Sequence, residues 1–193
     1  CERNLSKGDT YVEVGAHIGM IALPVIASCN PKKSILIEAD PRAFKLLKNN
    51  VDSFLSTEPV NIFNLLISDK IGQDKFFLNE NAARSSMFRE GEECVCESTT
   101  LDELLKDEDN IVMKMDIEFA EPLAWKGMKK VLDKIKVICL EFMPTQMPFN
   151  PNLFIEEIRT DGFEIFSLEG NELTERQLFN PAGNKIDLFL KKR

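Results

Sequence analysis

Short apolar runs alternate with amphipathic stretches along this chain, and the alternation predicts repeated strand–helix units. Residues 10–14 (TYVEV) predict a strand ended by Gly15, and 18–29 (IGMIALPVIASC) a helix kinked at Pro24. A second strand falls at 34–38 (SILIE). Asp40 then Pro41 starts the next helix, a side-chain cap before a proline whose missing N–H is not needed there. Over 42–54 it places Phe44, Leu47, Val51 and Phe54 on one face. Residues 61–67 (NIFNLLI) predict a third strand, and 75–78 and 94–97 two more around a polar loop, 79–91. Thr100 caps a short helix over 101–106, and 111–115 (IVMKM) is a strand that stops at Asp116. A helix over 121–132 and a strand over 136–142 (KVICLEF) follow. Residues 152–161 are predicted helical and closed by Gly162 in the manner of a left-handed cap. Strands at 163–168 and 187–191 flank a polar loop, 169–185.

Near-continuous apolar strands separated by helices imply an α/β fold, a mostly parallel sheet with helices on both faces. The last two strands, with no helix between them, predict an antiparallel pair at the end. No repeat, low-complexity tract or linker interrupts the pattern, so residues 1–193 are expected to form a single domain. The first strand begins within ten residues of Cys1 and no initiator methionine precedes it, which suggests a domain of a longer protein with further parts upstream.

Composition narrows the choices. Hydrophobic residues at 44% and charged residues at 29% fit a globular chain rather than a disordered one. The 24 basic and 32 acidic residues leave a net charge of −8, which opposes general binding to nucleic-acid phosphates. No apolar run approaches the roughly 18 residues of a membrane helix, and no secretory leader pattern is visible. Five scattered cysteines without a Cys-x-x-Cys pair suggest reduced thiols and a cytoplasmic location. Cys94 and Cys96 would share one face of a strand, yet a metal there needs further ligands and the single histidine, His17, is distant in sequence.

In an open parallel sheet, ligands bind beyond the carboxyl ends of the strands. There the first strand runs into Glu13-Val14-Gly15-Ala16-His17-Ile18-Gly19. Gly15 suits a tight turn, and Gly19 lets the helix pack close to the strand. Glu38, 23 residues beyond Gly15, ends the second strand, where a carboxylate accepts ribose hydroxyls. A dinucleotide site favours G-x-G-x-x-G, and His17 stands where the second glycine would be. S-adenosylmethionine, a nucleoside with no phosphate, fits better. Asp9, Glu13, Asp116, Glu118 and Glu121 are expected to gather near its cationic sulfonium.

Four stretches then carry a resemblance: 8–19 (GDTYVEVGAHIG), 37–41 (IEADP) with Leu46, Leu47 and Asn50, 99–105 (TTLDELL), and 113–121 (MKMDIEFAE), with Gly127 and Glu141 behind them. Together they resemble the FkbM family of S-adenosylmethionine-dependent methyltransferases over nearly the whole chain. The resemblance implies a Rossmann-like class I methyltransferase fold, a seven-stranded, mostly parallel sheet with an antiparallel terminal strand. It implies methyl transfer to a hydroxyl of a sugar, glycan or glycosylated small molecule. Cofactor contacts would come from Glu13, Gly15, Ala16, His17, Gly19, Glu38, Ala39 and Asp116, with Ser68 and Asp69 at the adenine edge. Three residues depart from the family's usual pattern, Glu13 replacing Asp, His17 replacing Asn and Phe119 replacing Gly.

Transfer to a hydroxyl benefits from a positioned base. Asp116, ending a central strand, is the first candidate, with His17 and Glu118 beside it and Glu121 and Glu141 as further carboxylates. His17 reads equally as a structural replacement for asparagine, and Glu118 and Glu121 as loop ties or helix caps. Trp125 and Met128 are expected in the core, and the lysines of 126–136 on a solvated face. No Asp-Asn pair ends the strand at Glu141-Phe142, so a metal is not expected, although glutamate does ligate hard cations. Base-methylating enzymes would carry an Asn- or Asp-Pro-Pro-aromatic motif, absent after Met115. The remaining alternatives are a nicotinamide oxidoreductase and a non-catalytic methyltransferase-like binding module.

Overall fold

The computed structural model describes residues 2–55, 58–181 and 184–193. In chain order its strands are β1 (Thr10–Val14), β2 (Lys33–Ile37), β3 (Val60–Phe63), β4 (Leu66–Ile67), β5 (Gly72–Leu78), β6 (Glu92–Thr99), β7 (Ile111–Met115), β8 (Ile135–Phe142), β9 (Phe163–Ser167) and β10 (Ile186–Lys192). The helices are α1 (Ala22–Cys29), α2 (Pro41–Phe54), α3 (Leu101–Leu104), α4 (Glu121–Lys126), α5 (Pro151–Thr160) and α6 (Glu175–Phe179). Seven strands form one sheet in the order β3-β2-β1-β7-β8-β10-β9, and β4-β6-β5 form a small side sheet. The pairs from β3 to β8 are parallel, whereas β10 runs antiparallel to both β8 and β9. The α/β, mostly parallel, seven-stranded architecture is therefore as expected, with the antiparallel strand inserted beside the edge strand β9.

Alternation along the strands assigns two cores, one on each face. Tyr11, Leu36 and Val112 join Ala22, Ile26 and Leu47 of α1 and α2. Val12, Val14, Ile35 and Met113 face the other way, onto Leu101, Trp125 and Phe154 of α3, α4 and α5. Trp125 is fully buried, stacks edge-on against Phe154 and Phe163, and donates its indole N–H to Asp161 at 2.7 Å. Met128 is fully buried as expected.

Several boundaries differ from the sequence expectation, each for a local reason. α1 begins at Ala22 rather than residue 18, because His17 and Gly19 both take left-handed backbone conformations (φ 50° and 87°). Pro24 thus falls in the first turn, where its lost N–H breaks no helical bond and no kink is needed. The expected third strand splits after Phe63. Asn64 donates to the carbonyls of Glu38 and Ala39 at 2.8 and 3.0 Å, and Leu66–Ile67 pair with β6 instead. Phe54 is not on the buried face of α2 but 74% exposed. α4 stops at Gly127, whose added Cβ would sit 2.3 Å from the Ser68 carbonyl, and Asp102 caps the following turn through the Lys130 and Val131 amides. The segment 169–185 is not wholly loop, since it holds α6 with a capping box between Thr174 and Gln177.

Replacing Trp125 by alanine removes a buried ring and an indole–carboxylate bond. Urea unfolding should show a loss of about 3–5 kcal/mol, and a loss below about 1 kcal/mol would contradict the packing described.

Candidate active site

The carboxyl ends of β1, β2, β7 and β8 open onto one hollow of about 320 Å³. Its floor is the turn after β1. The Gly15 and Ala16 amides both donate to the Ile37 carbonyl at 2.9 Å, and the Asp116 amide donates to Val14 at 3.0 Å, so three adjacent strand ends are locked together. Gly15 has φ 83°, and an added Cβ would lie 1.9 Å from the Asp116 carbonyl oxygen. Only glycine fits there. Asn50 of α2 donates to the Ile18 carbonyl at 2.8 Å and holds the far side of the turn.

Glu38 lies against that turn with 8% exposure. One carboxylate oxygen accepts from the His17 amide at 2.7 Å and the other from the Asp40 amide at 2.8 Å. Burial nevertheless pushes its pKa up to about 7. Asp40, the N-cap of α2, binds Arg42 and accepts from the Ser85 hydroxyl at 2.8 Å. This ties the β5–β6 loop to the site, so Ala82, Ser85 and Met87 complete one wall.

The opposite wall is charged. The Tyr11 hydroxyl donates to Glu13 at 2.6 Å, and Lys114 reaches Asp116 at 3.2 Å and Glu13 at 3.8 Å. Burial raises the Glu13 pKa despite Lys114. The Lys114 pKa rises although burial opposes its charge, because Asp116, Glu13 and Glu141 surround it. Asp116, Glu118 and Glu141 bring carboxylate oxygens within 4.8 Å of one another, a set that could hold a hard cation. Each already faces a side-chain cation: Lys114 for Asp116, Arg89 at 2.7 Å for Glu118, and Lys185 at 2.5 Å for Glu141. The Arg89–Glu118 contact lacks hydrogen-bond alignment, which leaves Glu118 Oε2 without a hydrogen-bond partner among the described residues. Glu118 and Phe119 have φ 52° and 81°. For a bulky residue such as Phe119 this is strained backbone. The Arg89 guanidinium lies 4.6 Å over its ring, and the Ser86 hydroxyl donates to the Glu118 carbonyl at 2.6 Å.

Of the residues proposed from sequence, Glu13, Gly15, Ala16, His17, Glu38, Ala39, Asp116, Glu118 and Glu141 line this hollow. Asp9 does not, since it sits at the opposite end of β1, bound to Ser6 and Lys136. Glu121 is 3% exposed beneath the loop, accepting the Ile117 amide at 3.0 Å, which is its loop-tying reading. Gly19 packs against Leu23 and Leu47 rather than facing the hollow. Ser68 is fully buried against Gly127 and Asp69 is exposed, and the wall they were expected to form is built by Leu65, Leu66, Ile67 and Phe76. His17 has the left-handed backbone that asparagine and histidine tolerate best, and its amide serves Glu38, so the position has a structural reason for either residue. Sequence reasoning assigned no role to Lys114, Arg89, Ser85 or Lys185. A lysine inside the apolar strand 111–115 was the one available signal.

A wound, mostly parallel sheet with a glycine turn and a buried carboxylate at the carboxyl ends of its strands is the framework of a Rossmann-like methyltransferase domain. Residues 13–169 match the Methyltransferase FkbM domain, and the chain belongs to that family. Its fold is similar to that of methyltransferase FkbM from Methylobacillus flagellatus KT, with TM-score 0.62 and 17% identity over 96% of this chain. The chain spans 44% of the length of that structure. It is also similar to precorrin-6y C5,15-methyltransferase from Geobacter metallireducens GS-15 (TM-score 0.56, 11% identity, 100% of this chain and 84% of that one). A third similar structure is TrmK from M. capricolum, solved with S-adenosyl-homocysteine (TM-score 0.52, 8% identity, 99% of this chain and 65% of that one). No curated protein matches the chain. Among the described residues no helix is long and apolar enough to cross a membrane.

The buried acids set a pH dependence. Glu121 has its pKa pushed up to about 8 and Glu38 to about 7, chiefly by burial, from an ordinary 4.5. Both hold protons in the folded chain at pH values where the unfolded chain has lost them, so their contribution is present below about pH 4.5 and is lost as pH rises toward 8. Urea unfolding should show stability falling over this range and falling less in Glu121→Gln. Identical slopes for the two proteins would refute the assignment.

Proposed function

We propose that this domain transfers a methyl group from S-adenosylmethionine to a hydroxyl of a sugar, glycan or glycosylated small molecule. Family membership supports the cofactor, and the donor set suits it. Glu38 stands where a ribose diol would be held, Leu66, Ile67 and Phe76 offer an apolar slot for a base, and five lining carboxylates outnumber the three cations that pair with them, Lys114, Lys185 and Arg89, a balance that suits a cationic ligand. Gly15 lets the turn close onto the Asp116 backbone, which fixes the floor beneath such a ligand. When bound, the cofactor would supply an activated methyl carbon.

The observation that carries the acceptor reading is the convergence of Asp116, Glu118 and Glu141 on the lining of the hollow. Carboxylates accept hydrogen bonds and donate none when ionised, so they orient hydroxyl-bearing ligands. Asp116 takes the acceptor's proton, with Lys114 holding its Oδ2 and Oδ1 left for the hydroxyl. Glu118 and Glu141 hold neighbouring hydroxyls, and the walls exclude water. His17 acts through its amide on Glu38 rather than as the base. Lys114, Arg89 and Lys185 already supply the counter-charge, so no metal is required in this reading.

Labelled-methyl transfer to free sugars and oligosaccharides, with and without EDTA, tests the proposal. Transfer that survives chelation is expected, and activity restored only by added magnesium would overturn the metal-free reading. Asp116→Asn should lower kcat about 10²–10⁴-fold while leaving cofactor affinity within a few-fold. A variant with normal turnover but weakened cofactor binding would assign Asp116 to the cofactor instead.

A further inference from the structure

Cys94 and Cys96 alternate on β6, so both thiols stand on one face of the central strand of the side sheet. Their sulfurs are 3.8 Å apart, and both residues are half-buried. The Cys96 sulfur also lies 3.8 Å from the Ala39 carbonyl oxygen. With their protons in place, the three groups form a short chain of weak S–H hydrogen bonds. Ala39 lines the hollow between Glu38 and the α2 cap Asp40, and neither cysteine belongs to that lining.

These separations match the edges of a metal coordination shell. Two thiolates about 2.3 Å from one tetrahedral ion stand about 3.8 Å apart, and a thiolate and an oxygen ligand about 3.6 Å apart. A disulfide instead needs about 2.05 Å between the sulfurs. Cys94 and Cys96 pair with Phe76 and Asp74 of β5, so closing that gap would pull β6 out of its ladder, whereas a shared ion needs no movement. The third ligand, which the spacing of the cysteines alone does not supply, comes from the fold as the Ala39 carbonyl. Half-exposure leaves the fourth position to water. The charge suits a cation as well. Burial, the neighbouring Cys94 thiol and the Asp40 and Glu38 carboxylates push the Cys96 pKa up to about 12, so a bare thiolate is unfavourable there. A divalent ion replaces the protons and cancels the negative charge that they hold off. Arg42, whose guanidinium feels Cys94, is already held by Asp40 and the Asn79 carbonyl.

We infer that Cys94, Cys96 and the Ala39 carbonyl bind a borderline-soft divalent cation of the zinc class, with water as the fourth ligand. Two S–H bonds are lost, two sulfur–metal bonds form, and both protons pass to solvent. The ion ties the side sheet to the segment that carries Glu38. It takes no part in methyl transfer, and the inference is independent of the acceptor reading. The test titrates Cd²⁺, a spectroscopic substitute for Zn²⁺, into reduced protein and follows the ultraviolet cadmium–thiolate charge-transfer band. Thermal unfolding with and without the ion is measured alongside. The native band should saturate at one ion per chain, with release of the two thiol protons. It should be lost in Cys94→Ser and in Cys96→Ser. At a free ion concentration about a hundred times Kd, the native unfolding midpoint should rise by about 5 °C or more, and that of the variants should not. The native shift is read without any variant, so a variant that fails to fold leaves the test intact. Saturation at one ion per two chains would mean that two chains share the ion, and would overturn the Ala39 ligand. A band without a midpoint shift would mean that the unfolded chain chelates equally well, and would overturn a preformed site. No binding, or an undiminished band in the double variant Cys94→Ser/Cys96→Ser, would overturn the assignment outright.

Discussion

The site depends on one buried carboxylate. Glu38 uses its two oxygens to hold amides from two different turns, His17 after β1 and Asp40 before α2. The strand ends thereby acquire fixed positions relative to each other, and the hollow between them a fixed shape. Burial of this charge is unfavourable enough to move its pKa to about 7, so the free protein holds a group whose charged form awaits further hydrogen-bond donors. A ribose diol would supply two.

Around that anchor the structure divides its labour. The parallel strands deliver Glu13, Gly15 and Asp116 from a rigid, fully packed scaffold, where small displacements are resisted on both faces. The other groups at the site arrive from elsewhere. The side sheet brings Ser85, Ser86 and Arg89 against Asp40 and Glu118, and the β9–β10 segment brings Lys185 against Glu141. The strained backbone at Glu118 and Phe119 lies where the β5–β6 loop meets the end of the central strand β7. Strain of about 1–3 kcal/mol per residue persists only where surrounding contacts over-determine it, and Arg89 on the Phe119 ring with Ser86 on the Glu118 carbonyl are such contacts.

Most strand positions were legible in the sequence because their apolar runs are short, separate and buried on both faces, as in β1, β2, β7 and β8. The residues at their carboxyl ends followed from the chain order. What was not legible depends on contacts between distant segments. Nothing local marks Asn64 as the residue that ends a strand by binding Glu38 and Ala39, nor Gly127 as pressed onto Ser68. Ser68 and Asp69 were placed at the adenine edge because they follow a strand, but that strand leaves the main sheet, and Leu65 to Ile67 face the hollow instead. Asp9 was grouped with the site acids by charge alone, although it precedes β1 and so lies at the wrong end.

The ribose role proposed for Glu38 is tested most directly by calorimetry with S-adenosylhomocysteine on the native protein and on Glu38→Ala, with NADH as the comparison ligand. The account predicts binding of the nucleoside in preference to NADH, weakened in the variant by about 1.5–3 kcal/mol, or roughly ten- to a hundredfold. Unchanged affinity in the variant, or tight NADH binding with none of the nucleoside, would contradict it.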